Sequence, residues 1–61
     1  MKTYFVSFLS NRINHFLNVI KTFDVKLGTV ATDAGFTIVE IECTEEQANT
    51  VWNAGFHVAE Q

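Results

Sequence analysis

The sequence predicts an α+β fold of two layers, with elements in the order strand, helix, strand, strand, helix, strand. Two observations carry this expectation: the hydrophobic period switches between two and about 3.6 residues along the chain, and glycine or polar clusters punctuate the runs. Hardly a residue of the 61 is left over, so one domain spanning residues 1–61 is expected.

Thr3 to Leu9 is an apolar run of strand composition. It alternates Tyr4, Val6 and Phe8 against Phe5, Ser7 and Leu9, and Ser7 marks the second set as the outward one. From about Asn11 to Phe23 the spacing turns helical. Ile13, Phe16, Leu17, Ile20 and Phe23 share a face, while Arg12, Asn14, His15, Asn18 and Lys21 fall largely on the other. Val25 to Ala31 reads as a second strand, closed by a turn at Thr32-Asp33-Ala34-Gly35.

The third strand, Phe36 to Glu42, alternates cleanly. Carboxylates belong in water, so Thr37, Val39 and Ile41 should face the core and Phe36, Ile38, Glu40 and Glu42 should face away from it. A helix from Glu45 to Ala54 follows. Thr44 and Gln47 have capping-box spacing, Glu45 and Glu46 suit the positive end of the helix dipole, and Cys43 with Ala48 is placed as a hydrophobic staple. Its inner face is expected to be Ala48, Val51 and Trp52, with Trp52 as a lid on the core and Gly55 ending the helix in a left-handed conformation. Phe56 to Ala59 completes the chain as a short strand. Two strand-helix-strand units of this kind combine as a ferredoxin-like βαββαβ two-layer sandwich. It has a four-stranded antiparallel sheet, both helices on one face, and the first and third strands in the centre.

Composition narrows the class of function. A chain of this size buries only about 60% of the surface its unfolded form exposes, so its core is small and burial against a partner would help it. Six phenylalanines among eight aromatics argue against disorder. The longest uncharged stretch, Thr3 to Asn11, is far below the roughly 20 residues of a spanning helix, and its lack of a small-residue cleavage pattern argues against a signal peptide. One cysteine makes no internal bridge, so a cytoplasmic setting is expected. Charge is uneven: residues 1–31 carry four cations against Asp24, and residues 32–61 carry six acids with no Lys or Arg. The halves therefore attract one another, or the acidic half meets a basic surface on a partner.

The inventory for chemistry is thin. His15 and His57 have no nucleophile at a strand-to-helix elbow beside them, and Cys43 at its staple position is expected to pack rather than react. Glu40 and Glu42 share a strand face without the surrounding Asp, Asn or Gly of a cation loop. No metal-ligand spacing and no phosphate-binding glycine loop occurs, so neither enzyme activity, a metal nor a cofactor is expected. Phe5 and Phe36 stand on the strands that stack bases in RNA-recognition sheets, but Glu40 and Glu42 would repel phosphate. Neither nucleic acid nor membrane is the expected partner.

Gly35-Phe36 with its alternating strand, Thr44-Glu45-Glu46-Gln47-Ala48 and the closing His57-Val58-Ala59-Glu60 resemble the subtilisin-propeptide type of protease inhibitor. Tyr4-Phe5-Val6-Ser7-Phe8 is similar to that family's opening strand. The resemblance implies a folding chaperone and inhibitor of subtilases that lays its open sheet face on two protease helices and feeds a C-terminal tail into the substrate cleft. Only Glu60 and Gln61 follow Ala59, so sheet-face binding is the part of that behaviour expected to survive.

Together these readings predict a small non-catalytic module that binds another protein, as an inhibitor or adaptor, through its open sheet face or a strand edge. The expected partner-binding residues are Phe5, Phe36, Ile38, Glu40 and Glu42. A structural homo-oligomer, a homodimer in its simplest form, whose sheet faces or edges pair is the alternative. An RNA-binding sheet is the remote one.

Overall fold

The computed structural model describes residues 1–61. Its elements are β1 (Lys2–Leu9), a 3-10 turn (Ser10–Arg12), α1 (Ile13–Ile20), β2 (Lys26–Asp33), β3 (Phe36–Cys43), α2 (Glu45–Asn53) and β4 (His57–Glu60). The strands form one antiparallel sheet in the order β2-β3-β1-β4, the ferredoxin-like arrangement. Alternation sets the two faces as the sequence predicts. Tyr4, Val6 and Phe8 of β1 and Thr37, Val39, Ile41 and Cys43 of β3 are buried, and they meet Phe16 and Ile20 of α1 with Ala48 and Val51 of α2. At one end of this core the rings of Phe8, Phe16 and Phe56 pack mutually, with centroids 4.9 to 5.6 Å apart. Thr37, also buried, shares a 2.7 Å hydrogen bond with the Ser10 hydroxyl.

Helix α2 begins as its sequence dictates. Thr44 Oγ1 accepts from the Gln47 amide at 3.1 Å, Gln47 Oε1 accepts from the Thr44 amide at 3.0 Å, and Cys43 and Ala48 are both buried beneath the cap. Gly55 ends it with φ 97°. Helix α1 is shorter than its hydrophobic period predicts. No side chain caps its start, which opens as a 3-10 turn, and Phe23 N–H donates to the Ile20 carbonyl in a tight last turn. That turn leaves Phe23 and Val25 packed on the core from the connection to β2.

Two residues expected inside are outside. With only eight residues in α1, the buried stripe is limited to Phe16 and Ile20 flanked by half-buried Ile13 and Val19, and Leu17 lies on the exposed side. Trp52 is not a core lid: Ala48 and Val51 take the buried face of α2, and the indole stands 54% exposed with its ring 6.0 Å from His57. The β2–β3 turn is also tighter than predicted. Thr32 and Asp33 remain paired in the strand, leaving Ala34 and Gly35 as a two-residue loop with φ 52° and 83°. Positive φ at both positions is the signature of a type I′ turn, whose twist matches that of its strands.

Candidate functional site

The sheet face opposite the helices is open. Antiparallel register places Leu9 opposite Phe36, Ser7 opposite Ile38, Phe5 opposite Glu40 and Thr3 opposite Glu42 on that face. Ala59 and His57 of β4 continue the Phe5 and Ser7 rows on one side, and Ala31 of β2 continues the Ile38 row on the other. All five residues predicted to bind a partner therefore stand on one surface, on the two central strands.

That surface is divided along its length. Leu9 and Phe36, each 49% exposed, and Ile38, 42% exposed, form an apolar end of two neighbouring rows. Phe5 is only half-buried and marks the border. Beyond it lies the polar end, a cleft of about 210 Å³ lined by Thr3, Lys26, Leu27, Gly28, Glu40, Ile41 and Glu42. The two carboxylates, equivalent in the sequence, differ here. Glu42 is exposed opposite Lys26, whereas Glu40 is half-buried and its Oε1 accepts from the Thr29 amide at 3.4 Å.

A bulge in β2 makes that contact. Leu27 pairs with Ile41 and Val30 with Val39, so Gly28 and Thr29 together stand opposite Glu40 alone. Gly28 leaves room for that side chain, because a Cβ at this position would run into the Glu40 carboxylate and push it aside. A sequence without a partner strand beside it does not place such an insertion. Gly28 inside an apolar run was the only available signal.

A second concavity, about 280 Å³, lies between α2 and β4 and is lined by residues including Tyr4, Trp52, Lys2 and Glu60. The Lys2 ammonium meets Glu60 Oε1 at 3.4 Å, and this hydrogen bond and charge raise the lysine pKa. The Tyr4 hydroxyl is buried without a hydrogen-bond partner, and burial pushes its pKa up. Burial likewise pushes the Cys43 thiol up, away from the thiolate that a nucleophile requires.

Arg12 has a role that helical periodicity does not disclose. Its guanidinium stacks 4.5 Å from the centroid of the Phe56 ring and donates to the Gly55 carbonyl at 3.1 Å, closing the end of α2 from the start of α1. His15 stacks on the same ring at 5.3 Å. Neither histidine lies in a group of three or more His, Cys, Asp or Glu side chains that could hold a metal ion, and no helix is long and apolar enough to cross a membrane.

The chemistry on offer is apolar contact with a polar rim. Comparison with known proteins finds no matching family model, no matching curated protein and no matching solved structure.

Proposed function

We propose that this chain is a non-catalytic protein-binding module, an inhibitor or adaptor that lays its open sheet face against a larger protein. The observation that carries the reading is the contiguous exposure of Leu9, Phe36 and Ile38 on adjoining central strands, with carboxylates at one end. Apolar side chains grouped in this way mark interaction surfaces. The carboxylates favour a partner that presents basic side chains or helix N-termini. They also disfavour RNA, because phosphate would approach Phe5 past Glu40. Cytoplasm is the proposed setting, suited to a single free, buried cysteine.

The test is capture of proteins on immobilised chain, comparing wild type with a Phe36→Ser/Ile38→Ser variant and with Lys21→Ser just past the end of α1. A partner held by wild type and Lys21→Ser but lost by the sheet-face variant supports the reading. Equal capture by all three chains sinks it. The narrower form, drawn from the resemblance to subtilisin propeptides, takes a subtilase as the partner, and a protease assay with added chain tests it directly. The second reading, a structural homo-oligomer, is favoured by one feature away from the open face: every residue of β2 is exposed.

A further inference from the structure

Strand β2 ends the sheet, and all eight of its residues are exposed. The helices leave this margin bare. Leu27 and Val30 face the helix side, opposite buried Ile41 and Val39, yet remain 47% and 57% exposed. An uncovered strand of this length presents free backbone donors and acceptors to another chain. Proline, a common guard of such edges, is absent from the chain, and the only charges on β2 are Lys26 and Asp33 at its two ends.

We propose that β2 pairs with β2 of a second copy of this chain, antiparallel about a two-fold axis at Val30, so that two sheets become one. This deepens the homo-oligomer reading, on which it rests, and uses a strand edge rather than the sheet face. The bulge determines the register. Lys26 and Asp33 are seven residues apart, which in a regular strand would put them on opposite faces. Because Gly28 and Thr29 make a single step opposite Glu40, both charges lie on the open face, Lys26 opposite Glu42 and Asp33 opposite Phe36.

Counted in those steps, Val30 stands midway, three from Lys26 and three from Asp33. A two-fold axis at Val30 therefore brings Lys26 against Asp33 of the second copy and Asp33 against its Lys26. Leu27 meets Thr32, Val30 meets its own counterpart, and every pair lies on a common face. Parallel pairing through the same two free edges would turn one copy face over, setting its Lys26 and Asp33 on the opposite side of the joined sheet, so that no pair of opposite charges forms. The committed occupant is thus a second copy, selected by charge and by self-complementary phase.

Sedimentation equilibrium from about 10 μM to about 1 mM, the range in which edge pairing of modest affinity registers, tests the proposal. Wild type is expected to form a dimer. Lys26→Asp and Asp33→Lys each convert both end pairs to like charges and should raise the dimer Kd by roughly tenfold to a hundredfold. The double swap Lys26→Asp/Asp33→Lys restores opposite charges and should return the Kd to within about threefold of wild type. This return also excludes misfolding as the cause of the single-variant losses. Leu9→Ser, which changes the open face away from β2, should leave the dimer intact. A wild type that stays monomeric, or single swaps that dimerise like wild type, overturns the proposal. Dissociation by Leu9→Ser with no response to the swaps assigns self-association to the sheet face instead.

Discussion

The Glu40 carboxylate lies over Gly28 and accepts from the amide of Thr29, so one side chain of β3 holds the bulge of β2 in place. A methyl group at residue 28 would displace that carboxylate. Glu40 ends in a flexible chain that can swing to water, so Gly28→Ala should cost no more than about 1 kcal/mol. In a Glu40→Ala background the obstruction is gone, and the same change should become stabilising by about 0.5 kcal/mol through reduced chain entropy. Urea denaturation of the four proteins in this cycle measures the coupling, and identical effects of Gly28→Ala in both backgrounds would refute the contact.

Ala34 sits at φ 52°, a region that costs a residue with a Cβ roughly 1 kcal/mol or more. Asparagine tolerates this conformation and Asn-Gly is the favoured pair in a type I′ turn. Ala34→Asn should therefore stabilise the chain by about 0.5–1 kcal/mol. A lowered Tm would show that the turn has a different geometry.

Arg12→Met keeps most of the side-chain stem but removes both the stacked charge on Phe56 and the bond to the Gly55 carbonyl. The expected loss is about 1–2 kcal/mol, with Arg12→Lys recovering less than half because ammonium lacks the planar stacking surface. Thermal denaturation of the three proteins checks the order.

Tyr4 keeps its ring in the core while its hydroxyl has no partner. Removing an unpaired buried hydroxyl takes away a desolvation cost, so Tyr4→Phe should leave Tm unchanged or raise it by about 4 °C. A clear fall in Tm would mean that the hydroxyl is hydrogen-bonded in solution.

Alkaline pH should weaken the fold. Burial raises the Cys43 thiol above its ordinary 9.0 and the Tyr4 phenol above its ordinary 10.0. The folded chain therefore retains protons that the unfolded chain releases. Stability from these groups is complete below about pH 9 and falls as pH climbs through the raised values. Lys2, raised by Glu60, acts in the same direction above 10.5. Urea midpoints measured between pH 7 and pH 10.5 should decline from about pH 9 onward, and Cys43→Ala should flatten the first part of the decline.

Alternation made the two central strands legible, because Thr37, Glu40 and Glu42 leave a single workable assignment of faces and Ser7 orients β1. The cap of α2 was equally plain, since Thr44 and Gln47 answer one another within a single turn. What escaped depends on contacts between distant segments. The exposure of Trp52 and Leu17 follows from how little sheet and helix stand beside them, and Arg12 acquires its role only when Phe56 is brought beneath it from the other end of the chain. The five expected site residues do share a face, but the distinction between Glu40 and Glu42 required the bulge.

Strand β1 sits between β3 and β4, with Tyr4 opposite Glu60 and Ser7 opposite His57, while the Gln61 amide donates to the Thr3 carbonyl at 3.0 Å. Of these four strands, the first to be synthesised is thus completed by the last. Until β4 emerges, β1 has one side unpaired and the Phe8–Phe16 stack lacks Phe56, so no N-terminal portion of these residues forms a finished sheet. Closing such long-range pairs makes folding slower than in a helical chain of equal length. A cut in either loop between α1 and β2 or between β3 and α2 would separate strands that pair side by side, so neither fragment would carry the whole sheet.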